Sequence, residues 1–452
     1  MVKDLTQGRP LKLIWNFMVP VLFGYLFQQC YNVTDTVIVA RFLGVEALAA
    51  VGATGSVNFL IVGFCMGLTN GFAIPVSQRY GAKDEGGMRR YIASIVPLCL
   101  LFSLAFTVAT VLLCKKIFVV MQTPGDIISG SVDYMRVIFL GIPLTILYNM
   151  CSAIIRALGD SRTPLYFLLF SSVLNVFLDL FFIEVVPLGV AGAALATIIS
   201  QGISGFLCLF FMLRHYPMVL PQKNERALDL SKWGTLLLNG VPMGLQYSIT
   251  AIGSVILQTS VNILGSAAVA SVTAGARIDQ FFCCPYDAMG TTMATYGGQN
   301  TGSGDIKRLK LGLLDCSLLG LVYSLIAMLV LFLFGGKLSM LFVGNDAELI
   351  AQSHLFLKVQ SAFYFPLALV NIIRFQIQGM GFGVLAITSG VMEMIARAFD
   401  GIVLVPRYGY LAACFASPLA WILADAFLIP AVLFCFRRLK DMLSSSARPE
   451  RR

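Results

Sequence analysis

Runs of eighteen or more apolar residues recur from one end of this chain to the other. At 1.5 Å per residue, a helical run of that length crosses the roughly 30 Å hydrocarbon core of a bilayer. We place such runs at 13–38, 48–73, 91–113, 132–154, 164–186, 189–213, 234–259, 268–294, 312–334, 352–377, 383–405 and 410–436. Only 12% of the 452 residues are charged and 58% are hydrophobic. A soluble domain carries about 25% charged residues to cover its surface. No polar stretch is long enough for a separate soluble domain. The first run follows a short polar segment and has no small-residue cleavage site, so it reads as a retained helix and not a signal peptide.

The fold expected is therefore all-α and polytopic, with twelve transmembrane helices in two six-helix pseudo-symmetric lobes. The boundaries fall at 1–213 for the amino-terminal lobe, 214–233 for a basic cytoplasmic linker, 234–436 for the carboxy-terminal lobe and 437–452 for a basic tail. The formal net charge of +9 would suggest nucleic acid in a soluble protein. Here the positives collect in every second loop and at the termini. They are Lys3, Arg9 and Lys12; Arg79, Lys83, Arg89 and Arg90; Arg156 and Arg162; Arg214, Lys223, Arg226 and Lys232; Lys307, Arg308 and Lys310; and Arg437, Arg438, Lys440, Arg448, Arg451 and Arg452. The alternate loops hold few: Arg41, Lys115, Lys116, Lys337 and Arg407. This is the positive-inside pattern of a multi-pass protein of the inner (cytoplasmic) membrane, with both termini cytoplasmic. The lipid bilayer is then the expected partner, nucleic acid is not, and the chain is expected to work as a monomer.

The halves resemble each other. Gln78, Gly81 and Asp84 pair with Gln299, Gly302 and Asp305 at an offset of about 221 residues. The same offset pairs Asp179 with Asp400, and Gly189 with Tyr410. Six spans per repeat give two copies of the same orientation.

Absent motifs narrow the chemistry. No phosphate-binding GxxxxGK[ST] loop is present, and Gly379 to Gly383 has no strand before it. The eleven Cys lie scattered in apolar segments without CxxC spacing and read as small buried residues. His215 and His354 are too few and too separated for a zinc site. Asn32-Val33-Thr34 fits a glycosylation sequon but lies inside the first span. No cofactor is expected, and no metal beyond a coupling Na+. Without a nucleotide site, work must come from an ion gradient or from the cargo's own gradient.

A charge at the bilayer centre costs about 2.5–3.5 kcal/mol on insertion scales, so each one needs a reason. Asp35 lies late in span 1. Asn175 and Asp179 share a face of span 5, four residues apart. Two acids in one lobe point to a shared proton or a bound sodium ion; helix–helix hydrogen bonding is the other reading. Tyr134, Asn149 and Thr197 are polar candidates for the same cluster. Pro20 removes a backbone bond from span 1 and marks a hinge or a passive kink.

The second lobe differs. The offset partners of Asp35 and Asn175 are Ile256 and Ala396. Span 11 instead carries Glu393, Arg397 and Asp400 along one face, which reads as a self-neutralising structural ladder, with cargo or ion binding as the other reading. Arg277, Asp279 and Arg374 have no sequence-local partner. Gln246, Gln258, Gln280 and Gln378 are candidates to line a polar path for cargo, or to serve packing. The 34 Phe and 18 Met are compatible with an adaptable cavity.

Residues 20–55 contain Gln28-Gln29-Cys30-Tyr31-Asn32-Val33-Thr34-Asp35-Thr36, Ala40-Arg41-Phe42-Leu43-Gly44 and Ala47-Leu48-Ala49-Ala50-Val51-Gly52. With Arg156-Ala157-Leu158-Gly159-Asp160-Ser161-Arg162-Thr163-Pro164, Asn175 to Asp179, and Gly298-Gln299-Asn300, they resemble the multidrug and toxic compound extrusion (MATE) transporters. The resemblance covers almost the whole chain. It implies a central cavity that opens alternately to each side and export of cationic or amphiphilic compounds in exchange for H+ or Na+. It also implies that Asp35, Asn175, Asp179 and Thr197 form a cation site, with Tyr134 and Asn149 nearby, and that Pro20 matches the proline of a span 1 that bends in some relatives. One branch of the family adds acids in spans 7 and 10. Here those spans offer Gln246, Thr250 and Asn371, which disfavours a site of that kind. The competing reading is a flippase or exporter of a lipid-linked saccharide or other amphiphile. An intramembrane enzyme would need a catalytic cluster that is not apparent, and a channel would not accumulate cargo against a gradient.

Overall fold

The computed structural model describes residues 4–222, 225 and 229–446, with side chains described as far as Ser444. Lys3, Lys223, Arg226, Arg448, Arg451 and Arg452 of the basic clusters lie outside the described residues. The described chain is almost entirely helical, and it divides into two compact units.

The first unit is centred on Phe23–Ser248. It holds α1 (Pro10–Ala53) from Phe23 onward, α2 (Gly55–Gly81), α3 (Glu85–Val120), α4 (Ile128–Leu140), α5 (Ile142–Ala157), α6 (Arg162–Leu180), α7 (Gly189–His215) and α8 (Leu230–Asn262) up to Ser248. The second unit is Leu5–Leu22 together with Ile249–Arg452. It holds the front of α1, the back of α8, then α9 (Ser266–Gly302), α10 (Ile306–Val343), α11 (Ala347–Ala362), α12 (Tyr364–Gly379), α13 (Gly383–Phe399), α14 (Val405–Tyr408) and α15 (Tyr410–Ser446).

Eight helices are long and apolar enough to cross a membrane alone: α1, α2, α3, α6, α7, α8, α10 and α15. The bent pairs α4–α5 and α11–α12 add two more. The last two of the twelve spans are α9, whose apolar length is interrupted by Arg277, Asp279 and Asp287, and α13, which carries Glu393 and Arg397. Each bent pair spans one of the apolar runs expected from the sequence, 132–154 and 352–377. The structure breaks them by 49° and 50°. Pro143 and Pro366 sit in the first turn of the second helix of each pair. A ring there has no N–H to continue the preceding helix, so the chain turns and restarts.

The repeat is visible in local chemistry. Asp84 caps α3, its Oδ1 accepting from the Gly87 N–H at 2.8 Å. Asp305 caps α10, its Oδ1 accepting from the Arg308 N–H at 3.0 Å. α6 continues into a π turn over Phe181–Val185, and α13 into another over Asp400–Leu404.

Inside the first unit, α2 and the front of α8 meet backbone to backbone. Gly67 and Gly71 of α2 face Met243, Asn239, Gly240 and Gly244 of α8. A Cβ on Gly67 would lie 2.4 Å from the Met243 carbonyl oxygen, and one on Gly71 2.5 Å from that of Asn239. Two glycines four apart on each helix allow this approach, the small-residue packing common between membrane helices. It ties Leu230–Ser248 into the first unit.

Candidate functional site

Four helices of the first unit deliver a cluster of polar side chains. α6 presents Asn175 and Asp179 one turn apart, both essentially inaccessible. α1 brings Tyr31 and Asp35, also one turn apart, α7 brings Thr197, and α4 brings Tyr134.

The bonds form a chain. With its amide nitrogen toward the carboxylate, Asn175 donates to Asp179 Oδ2 at 2.8 Å and its oxygen accepts from the Thr197 N–H at 3.1 Å. Thr197 Oγ1 donates to the Ala193 carbonyl at 3.1 Å. That leaves the Thr197 oxygen to accept from the Tyr31 hydroxyl, 3.1 Å away. Tyr31 and Tyr134 both lie close enough to interact electrostatically with the two acids.

The carboxyl groups of Asp35 and Asp179 lie close enough to interact. Oδ1 of each has no donor. Among the described residues neither acid joins a salt bridge. Two carboxylates cannot hydrogen-bond to each other, because neither has a donor. Two acids brought this close are the kind of pair that can share a proton.

Of the residues expected here, Asp35, Tyr134, Asn175, Asp179 and Thr197 come together. Asn149 donates from Nδ2 to the Thr145 carbonyl, one turn back on its own helix, at 2.8 Å. Tyr31 was not anticipated, although its place four residues before Asp35 puts it on the same face. Pro20 is buried in α1, three residues before the chain enters the first unit from the second.

The second unit carries a different polar set. Glu393 takes ion pairs from Arg374 of α12 and from Arg397 at 3.3 Å. Arg374 also donates from Nε to Ser389 Oγ at 2.9 Å. The expected ladder of Glu393, Arg397 and Asp400 is therefore corrected. Its third rung is missing, and Arg374 takes part from another helix. Asp400 opens the π turn that follows α13, and neither of its carboxylate oxygens has a partner. Asp279 accepts from the Tyr364 hydroxyl at 2.7 Å. Gln258 donates to Asn262 at 2.9 Å, both near the surface. Arg277 and Gln280 are exposed, Gln378 is buried in α12, and Gln246 is buried within the first unit.

The most specific sequence run, residues 156–164, is a structural joint. Asp160 is buried and accepts from the Tyr216 hydroxyl at 2.6 Å, the Thr163 hydroxyl at 2.8 Å and the backbone N–H groups of Arg162 and Thr163. Burial alone would raise its pKa. The Tyr216, Thr163 and backbone donors outweigh it and hold the carboxyl below its ordinary value. Arg156 reaches from α5 to Asn70 of α2 at 3.0 Å.

The profile of the MatE family matches residues 20–181 and again 242–397, more than half of the chain. A probable multidrug resistance protein of Bacillus subtilis (strain 168), YpnP, is 33% identical over 82% of this chain and 82% of its own length. The chain belongs to the MatE family. The double match to one profile agrees with the internal repeat. Among solved structures, the outward-facing conformation of a multidrug resistance MATE family transporter superposes with a TM-score of 0.89 at 22% identity, covering 97% of this chain and 98% of that one. A FAD transporter of Shewanella oneidensis is 23% identical over 80% of both chains. This MatE protein is thus a multi-pass membrane transporter and not an enzyme.

Proposed function

We propose that this protein exports organic cations or amphiphiles from the cell by antiport with H+ or Na+, using alternating access. The observation that carries this reading is the closeness of Asp35 and Asp179, whose repulsion a shared proton or a bound cation would relieve. A bound ion removes their repulsion and stabilises the packing of α1 against α6. Without the ion, two negative charges, one buried and one half-buried, push the helices apart. Ion binding therefore biases one bistable element, and a cargo that favours the other arrangement is coupled to it.

Pro20 supports a bend in α1, since it lacks the N–H that would brace the helix three residues before the chain enters the Phe23–Ser248 unit. The reading places the basic loops in the cytoplasm of the inner membrane. Ions then enter from outside, neutralise Asp35 and Asp179, and favour outward release of cargo. A membrane potential supplies about 2.3 kcal/mol per charge per 100 mV, enough for a modest cargo gradient. The multidrug resistance names of relatives such as YpnP support the cargo class.

The test is efflux of fluorescent cations from proteoliposomes under an imposed pH gradient, then an imposed sodium gradient. The wild type is expected to respond to one of them. Asp35→Asn is expected to insert and fold yet lose gradient-driven efflux. Wild-type efflux by that variant would overturn the scheme.

A further inference from the structure

The internal repeat exposes an acid without an assigned role. Superposing the halves by their offset of about 221 residues sends Tyr31 to Ile252, Asp35 to Ile256, Tyr134 to Leu355, Asn175 to Ala396 and Thr197 to Pro418. Every polar member of the first-unit cluster becomes apolar except one. Asp179 becomes Asp400, and the π turn that follows Asp179 recurs at Asp400 itself.

Asp400 is fully buried and neither Oδ1 nor Oδ2 has a hydrogen-bond partner. The adjacent Gly401 packs so closely on α8 that a Cβ there would lie 2.4 Å from Ser260 Oγ and 3.8 Å from the Ile256 carbonyl oxygen. Ser260 donates its own proton to the Ile256 carbonyl at 3.1 Å, so it offers Asp400 nothing. On α13, Arg397 is paired to Glu393. On α14, Arg407 is exposed. On α15, Cys414 is the titratable group close enough to interact with the carboxyl. Residues 256–260 of α8 carry no charge.

An ionised carboxylate in this setting has no donor, no cation and no water-like surface, and such a group neutralises itself instead. A sodium ion would need a shell of several oxygens, as hard cations do, and one carboxyl does not provide it. A proton needs only the carboxyl. We propose that Asp400 is a second proton-binding site, seated in the Leu5–Leu22 and Ile249–Arg452 unit and separate from the Asp35–Asp179 pair. It holds its proton in the conformation seen here and exchanges it with water when the π turn and α8 part. This extends the antiport reading above, on which the exchange step rests, by one proton per cycle. It differs from the acids of spans 7 and 10 found in other relatives, because it lies at the end of span 11.

The test has two arms on the intact protein. Infrared spectra of wild type and Asp400→Asn in lipid nanodiscs are compared in the carboxylic-acid C=O region. The wild type is expected to show a band from a neutral, weakly hydrogen-bonded acid that the variant lacks. Identical spectra from two equally helical, monodisperse proteins would mean that Asp400 is ionised, and the proposal would fall. The second arm measures protons moved per tetraphenylphosphonium exported from proteoliposomes. Asp400→Asn is expected to move one proton fewer per cation, with export retained through Asp35 and Asp179. An unchanged ratio would overturn the exchange step. Absence of pH-driven export in the wild type would overturn the antiport reading instead, and would leave the infrared result standing.

Discussion

At the scale of single residues, the first-unit cluster shows what a sequence discloses. Asn175 and Asp179 are four apart on one helix, and so are Tyr31 and Asp35, so each pair shares a face by helical period alone. Their meeting across α1 and α6 could only be guessed from the cost of burying both acids. Arg374 pairs with Glu393 across two helices, and no local spacing announces that. Asp160 was legible as a motif and not as a joint, because its Tyr216 partner comes from the far end of α7. That joint makes a prediction. Asp160→Asn removes the charge from four hydrogen bonds, and each such bond contributes about 1.5–3 kcal/mol when charged. A net loss of about 2–3 kcal/mol is expected, read as a lower midpoint of thermal unfolding in detergent. The pH dependence has a definite sign. The folded pKa of Asp160 lies below its unfolded value of about 3.9. Its stabilisation is therefore complete above that value and is lost as pH falls through the folded one. The gap between wild type and Asp160→Asn should close under acid and stay constant near neutrality.

At the scale of elements, the repeat lets one half act as a control for the other. Lys83 and Gln122 end α2 and α3 regions in the left-handed conformation, with φ of 57° and 55°. The offset of about 221 residues takes Lys83 to Gly304, with φ of 74°, and Gln122 to Val343, one residue before Gly344, with φ of 66°. An L side chain in that region costs about 1–2 kcal/mol, which glycine avoids. Gly304→Ala is expected to destabilise the protein by about 1 kcal/mol. Lys83→Gly should stabilise by less than that, because glycine also loosens the unfolded chain. Reversal of both signs would mean the turns are set by something other than φ. The α2–α8 contact makes a sharper case. Gly71→Ala places a methyl 2.5 Å from the Asn239 carbonyl oxygen, and overpacking of that kind costs about 1–3 kcal/mol. Gly52→Ala, with nothing within 4 Å, should be neutral or gain about 0.5–1 kcal/mol of helix propensity. Equal unfolding midpoints for the two variants would contradict the close approach. The glycine spacing was present in the sequence, but it gains meaning only once two such helices are known to face each other.

At the scale of the whole molecule, helix number and the two-fold repeat followed from hydropathy, loop charge and the constant offset, since these are properties of the chain alone. The assignment of segments to units did not follow, because it depends on which surfaces meet. The front of α1 belongs to the second unit and the front of α8 to the first. Each unit is therefore completed by a segment from the other half of the sequence. In the second unit, the Leu5 N–H donates to Gln299 Oε1 at 2.9 Å, and Arg308 donates to the carbonyls of Leu5 at 3.1 Å and Gly8 at 2.8 Å. In the first unit, the Gly67 and Gly71 face of α2 is covered by residues 239–244 of α8. A chain cut between Gln222 and Asp229 leaves each fragment without its own completing segment. The amino-terminal fragment would expose the glycine face of α2. The carboxy-terminal fragment would leave Arg308 without its two carbonyl acceptors. Co-expressed fragments are expected to associate and purify as a stable pair, whereas either fragment alone should fail to accumulate. A cooperative melt from one isolated fragment would show that a unit folds without the exchanged helix front, and the exchange would then be an incidental packing and not a condition of the fold.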